Sequence, residues 1–257
     1  MPTEELNGIV FHYERTGDGI PVVLITGLMG ETCFWDRALP LMEGCDVITV
    51  DNRGCGSTVC KGRFTVKDMA DDIAALLDRI GVRKAHILGW SMGSHIAICL
   101  AANHPDKVMS LTVASSYLKR PARANYILGL MSEWYFDGKM SEEAVGAFMN
   151  VLLRTEGFFE KAEMTNRPIR SMALSNKEGM LLQLGAGNGY DPREDCGKVS
   201  CPVLYMHGEE DIMVSPAEGR RLAEALGTEN VIMFPENGHL LSPRCYVPAF
   251  LDFIRGV

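Results

Sequence analysis

The pentapeptide Gly89-Trp90-Ser91-Met92-Gly93 is the stretch of this 257-residue chain that most clearly could do chemistry. It follows a short apolar run, Ala85 to Gly89, and opens a segment of helical period, Met92 to Ala102. A serine on so sharp a strand-to-helix turn is strained and holds its hydroxyl above the sheet. The flanking glycines are needed because a side chain at either position would collide with neighbouring backbone, and the helix N-terminus favours developing negative charge. A serine hydroxyl is a poor nucleophile until a base removes its proton, so the fold must bring a histidine to it. Of the six histidines, His12 falls on an edge strand, His86 within a strand, His104 at a helix end and His207 at a strand terminus. His95 follows Ser91 on the same helix, where side chains lean backward and away from the turn, and is expected to pack or face solvent. His239, in Glu236-Asn237-Gly238-His239-Leu240-Leu241 just past the last strand, is the expected base. The acid that orients it should come from a strand terminus between serine and histidine. Asp211, in His207-Gly208-Glu209-Glu210-Asp211, qualifies; Glu209 and Glu210 compete in the same loop but are more simply solvated acids.

These residues need elements to hold them. Gly8 to Tyr13 alternates with period two and reads as an antiparallel edge hairpin strand. Val22 to Thr26, Val47 to Asp51, Ala85 to Gly89, Val108 to Ala114, Val203 to Met206 and Val231 to Phe234 are short and nearly continuously apolar, as strands covered on both faces should be. Thr65 to Ile80 places Met69, Ile73, Leu76, Leu77 and Ile80 on one helical face and Asp68, Asp71, Asp72 and Asp78 on the other, and stops at Gly81. Met92 to Ala102 and Ala217 to Leu226 are further helices. Between Tyr117 and about Lys198 the strand signals vanish and Met-rich, aromatic helical pieces take over. The expected architecture is α/β, a mostly parallel sheet covered by helices on both faces. Its core spans residues 1–117 and 198–257, and a helical cap is inserted at 118–197.

With 47% hydrophobic and 23% charged residues the chain resembles ordinary soluble proteins. A net charge of −8 and the lack of any Lys/Arg run argue against nucleic acid as a partner. No apolar stretch approaches the roughly 18 residues that span a bilayer, and no secretory signal opens the chain, so a soluble, cytoplasmic protein without a membrane partner is expected. The eight cysteines then read as free thiols; neither Cys55/Cys60 nor Cys196/Cys201 has zinc-ligand spacing, and no metal is expected.

With Ser91, Asp211 and His239 in that chain order, the chain resembles the α/β-hydrolase superfamily over nearly all its length, in particular the small cap-bearing branch of serine esterases, lactonases and carbon–carbon hydrolases. Asp51-Asn52-Arg53-Gly54-Cys55-Gly56-Ser57-Thr58 matches that family's D-x-R-G-x-G segment, with Thr58 where serine is usual. Its role reads as scaffold, with Arg53 hydrogen-bonding loop carbonyls. Some relatives place the acid after the strand that follows the nucleophile helix, but Ala114-Ser115-Ser116-Tyr117 holds none. The resemblance implies an oxyanion hole built from the backbone N–H groups of Leu28 and Met92. The loop carrying Leu28 reads Thr26-Gly27-Leu28-Met29-Gly30, where the family usually has His-Gly. It further implies attack by Ser91 on an ester, thioester or lactone carbonyl, with no metal or organic cofactor. Aspartate-nucleophile relatives, the dehalogenases and epoxide hydrolases, are disfavoured.

The expected partner is a small, largely apolar substrate, met by a monomer or homodimer. Trp35, Trp90, Trp134 and Leu240 are candidate pocket residues, beside Leu28. The other aromatics and methionines of the cap divide between cap core and pocket wall. Arg120, Arg123, Arg167 and Arg170 could meet a substrate carboxylate, although arginines in such positions are mostly solvated. Two alternatives stand beside the ester or lactone hydrolase: a carbon–carbon hydrolase of a diketone, and a small-molecule receptor that turns over slowly or not at all.

Overall fold

The computed structural model describes residues 2–165 and 176–257. Its strands are β1 (Thr3–Leu6), β2 (Ile9–Thr16), β3 (Ile20–Ile25), β4 (Cys45–Val50), β5 (Ala85–Trp90), β6 (Val108–Ala114), β7 (Val203–Gly208) and β8 (Val231–Phe234). They form one sheet in the order β1-β2-β4-β3-β5-β6-β7-β8. β1 with β2 and β2 with β4 are antiparallel, and all other neighbours are parallel. The helices are α1 (Val66–Arg79) and α2 (Met92–Asn103), then α3 (Ala122–Phe136), α4 (Glu142–Leu153), α5 (Glu156–Met164), α6 (Lys177–Asn188) and α7 (Arg193–Cys196) between β6 and β7, and finally α8 (Pro216–Ala225) and α9 (Pro243–Arg255).

The period-two rule divides the core between the two faces of this sheet. On β3, Val23 and Ile25 enter the apolar cluster that holds Met69 and Ile73 of α1 and Ile96 of α2. Val22 and Leu24 enter the opposite cluster, with Val247 and Phe250 of α9. Every residue of β4, β5 and β7 is buried, as a strand covered on both faces requires.

Two expectations change here. The edge strand is β1, and β2 lies inside the sheet, its Tyr13 opposite Val50 of β4. β1 and β2 meet through Asn7-Gly8, both at positive φ (47° and 78°), the two-residue turn whose twist matches antiparallel strands. α1 starts on a capping box in which Thr65 and Asp68 exchange bonds, but Asp72 does not sit on its polar face. Asp72 is fully buried and takes Arg53 Nε and Nη2 on its two oxygens (2.5 and 2.9 Å), with Asn7 Nδ2 as a third donor. Arg53 therefore ties its loop to α1 rather than bonding loop carbonyls, because a carboxylate takes two parallel N–H bonds from one edge of the guanidinium and carries the opposite charge.

The close approach of α2 to β3 depends on Gly93, where a Cβ would run into the carbonyl oxygens of Ile25 and Thr26. Gly93→Ala is expected to destabilise the fold by about 3 kcal/mol, read as a lowered midpoint of denaturant unfolding; a midpoint equal to wild type would show that the crossing relaxes freely.

All eight cysteines are unpaired, and burial pushes the thiols of Cys99 and Cys196 up to about 12. Among the described residues no group of His, Cys, Asp or Glu could hold a metal ion, and no helix is long and apolar enough to cross a membrane.

Candidate active site

Ser91 stands between the end of β5 and the start of α2 with φ 56° and ψ −119°. A non-glycine residue there is strained by roughly 1–3 kcal/mol and must be held by its surroundings. Here Ser91 N–H donates to Ala114 O (2.8 Å), while its carbonyl accepts from Ser94 N–H and Ser116 Oγ (3.0 Å each). Gly27 comes so near that a Cβ on it would stand 2.9 Å from Ser91 Cβ.

His239 arrives on the loop that follows β8. That loop crosses directly over Gly208 at the end of β7, where a side chain would strike the carbonyl oxygens of Asn237 and Gly238. Asn237 shapes the loop by donating to Pro235 O (2.8 Å) and accepting from Ser242 N–H (2.7 Å). Trp90 Nε1 then donates to His239 O (2.9 Å), and the two rings lie 5.3 Å apart. The residue preceding Ser91 thus anchors the loop that carries the imidazole.

The three side chains form one hydrogen-bonded line. Ser91 Oγ is 2.9 Å from His239 Nε2, and His239 Nδ1 is 2.8 Å from Asp211 Oδ2. Asp211 Oδ1 accepts from Met213 and Val214 N–H, both at 2.8 Å. Its Oδ2 also lies 3.1 Å from Nε2 of the fully buried His207. Burial by itself would raise the Asp211 pKa, but the His239 and His207 imidazoles together outweigh it and hold the carboxyl well below the usual range. Glu209 and Glu210 of the same loop are exposed. The remaining histidines are engaged elsewhere. His12 pairs with Asp51 (2.7 Å), His86 with Ser110 (2.7 Å) and His104 with Asp71 (2.8 Å). His95, read as packing or surface, is fully buried; its Nε2 meets Tyr117 O (2.9 Å) and burial depresses its pKa to about 4.

Ser91 and His239 open into a cavity walled by Leu28, Trp90, Met92, Tyr117, Leu128 and Met213 among others. The Leu28 and Met92 N–H groups donate to no acceptor among the described residues. Thr26 replaces the histidine of the resemblance with a hydroxyl that donates to Gly30 O (2.7 Å) and so closes the loop on itself. Gln183 of α6 completes the support, accepting from Met29 N–H and donating to Arg53 O, both at 2.8 Å. Nothing in the sequence reading marked Gln183; its one signal is a lone amide in the apolar run Met180 to Leu184.

Of the four pocket candidates, Trp90 alone lines the cavity. Trp35 is buried beneath it, packed edge-on against Phe34, and it is Phe34 that stacks on Trp90 (4.5 Å). Trp134 is on the outside of α3, 40% exposed. Leu240 is not part of the wall; it packs against the apolar cluster that also holds Trp90, Leu153 and Met213, and its N–H is held by Leu153 O (2.9 Å). Both neighbours of Ser91, Trp90 and Met92, line the cavity, whereas Leu240 beside His239 does not, so proximity along the chain identifies only part of the wall. From the helical stretch between β6 and β7, Met149, Leu153 and Arg120 do reach it. Arg123 instead donates to Ile212 O, and Arg167 and Arg170 lie outside the described residues.

Comparison with known proteins agrees with this architecture. The pattern of the alpha/beta hydrolase fold family matches residues 20–243, and the chain belongs to that family. A pimeloyl-[acyl-carrier protein] methyl ester esterase of Neisseria meningitidis (serogroup C / serotype 2a) is 28% identical, covering 92% of this chain and 94% of its own. The structure of a thermophilic esterase from Thermogutta terrifontis is 26% identical with a TM-score of 0.83, covering 99% and 96%. The enol-lactonase from Burkholderia xenovorans LB400, at 22% identity, shares the fold with a TM-score of 0.85 over 99% of this chain and 100% of its own. The coarse class of reaction that these relatives carry is hydrolysis.

Proposed function

We propose that this chain is a serine hydrolase that cleaves a carboxylic ester or lactone of a small molecule through an acyl-enzyme. The observation that carries the reading is the line Ser91 Oγ, His239 Nε2, Asp211 at 2.9 and 2.8 Å, opening into a cavity. In this reading His239 takes the Ser91 proton as Oγ bonds to the carbonyl carbon. The oxyanion is met by the Leu28 and Met92 N–H groups, each such donor typically contributing about 10² to 10³ in rate. Collapse expels the alkoxide, which takes the proton from His239 Nε2. Water then adds to the acyl-enzyme by the same route and releases the acid and Ser91. Asp211, fixed by two main-chain donors, keeps the proton of neutral His239 on Nδ1 and so leaves Nε2 free to accept. The helices of 118–197 act as a cap over a core of 1–117 and 198–257, and the eight unpaired thiols suit a reducing cytoplasm.

A fluorophosphonate probe tests this directly. It should label Ser91 in the wild type, fail on Ser91→Ala, and block multiple turnover of p-nitrophenyl acyl esters. Labelling at another residue would overturn the nucleophile, and labelling with at most one turnover would favour a receptor.

A further inference from the structure

One charged side chain in the cavity wall has no part in the proposed reaction. Arg120, just beyond β6, lines the same space as Ser91. Its Nε donates to the Tyr117 hydroxyl (2.6 Å), and its Nη1 to Asn188 Oδ1 and, at 3.4 Å, Asn125 Oδ1. All three acceptors are neutral. No carboxylate lies within ion-pair distance of Arg120 among the described residues, whereas Arg15, Arg53 and Arg79 each hold one. The undescribed segment 166–175 contains no Asp or Glu, and none lines the cavity. Nη2 donates to no acceptor among the described residues.

Gly187 leaves room beside the guanidinium. A Cβ on Gly187 would come within 2.6 Å of Arg120 Nη2. Glycine inside α6 is unfavourable to the helix, by about 1 kcal/mol against alanine, and here it leaves the space the guanidinium occupies. Arg120 is half-buried, and a cation fixed by neutral partners at the wall of an otherwise mostly apolar cavity can take a ligand carboxylate on its remaining N–H groups.

We infer that the substrate carries a carboxylate, which pairs with Arg120 while Ser91 attacks a second, esterified carbonyl of the same molecule. This rests on the hydrolase reading and narrows its substrate from a neutral ester to a half-ester or an ester of a hydroxy acid.

Two matched pairs of esters test it. In one, p-nitrophenyl butyrate is compared with mono-p-nitrophenyl glutarate; in the other, phenyl butyrate with 4-butyryloxybenzoate. Wild-type enzyme should favour the charged member of at least one pair by about tenfold or more in kcat/KM, the scale of one hydrogen bond to a charged group. Arg120→Gln should lower that ratio by about tenfold, Arg120→Lys by less, and Gly187→Ala should lower it by crowding the guanidinium. Absence of preference in both pairs overturns the inference without any variant having to fold, as does a preference that Arg120→Gln retains. Equal turnover of both members with Ser91 still labelled by fluorophosphonate refutes the carboxylate site alone. No turnover of any ester, with no labelling, refutes the hydrolase reading beneath it.

Discussion

Ser91→Ala is expected to lower kcat on p-nitrophenyl esters by about 10⁴ to 10⁶, the loss seen when the nucleophile of an interdependent set is removed. His239→Ala should lose about as much, and the double variant little more than either alone. The physical reason is that the imidazole at 2.9 Å from Ser91 Oγ has no other reacting atom to serve, and the hydroxyl has no other base within reach. His95, the one other histidine on the nucleophile's helix, is buried with its Nε2 on Tyr117 O. Losses that multiply in the double variant would mean that the two residues act independently, and the proposed proton transfer would fall. The ester assay should be run on protein whose folding is checked, since Ser91→Ala keeps the positive φ of the turn without its hydroxyl.

Asp211→Asn should cost about 10⁴ in kcat although it removes hardly any volume. The main-chain donors Met213 and Val214 both require an acceptor, so the asparagine oxygen must turn to them. Its amide N–H₂ then faces His239 Nδ1, where a carboxylate oxygen stood. Neutral His239 is forced to accept at Nδ1 and carry its proton on Nε2, which can no longer take one from Ser91. Stability should respond to pH as well. The folded-state pKa of Asp211 is depressed, so its ionised form contributes stability that is complete above the ordinary carboxylate value near 4 and disappears as pH falls through the depressed one. The gap in Tm between wild type and Asp211→Asn should be widest above about pH 4 and narrow below it. A gap that is constant down to pH 2 would show that the carboxylate's charge is not what the fold uses.

What was legible in the sequence is what short-range sterics and strand order determine. The elbow glycines carry a reason that needs no third dimension, and His239 is singled out by its place in the loop just past the last strand. Asp211 is singled out by where it sits in chain order, and Glu209 and Glu210 of the same loop are exposed while it is buried. What was hidden depends on how distant segments pack. Gln183 supports a loop 154 residues away, and its one local signal, a lone amide in an apolar run, does not say what it meets. Asp72 has the spacing of a polar-face residue and becomes buried because Arg53 and Asn7 arrive from other elements. Trp35 is a pocket candidate by its place in sequence near the chemistry and Trp134 by its place among the aromatics of 118–197, and neither place says what the ring packs against.

The segment 115–202 leaves the sheet at β6 and returns at β7, which are hydrogen-bonded neighbours. Its two ends are therefore pinned side by side by backbone pairing that the segment itself does not make. For a loop closed in this way each doubling of length adds only about 0.6 kcal/mol of chain entropy, so length can vary there with small effect on the sheet. Ser91, Asp211 and His239 all hang from the side of that boundary which stays put, while Arg120, Met149 and Leu153 hang from the other. For the proposed reaction, a graft of this segment between relatives should therefore transfer preference for substrate without rebuilding the chemistry.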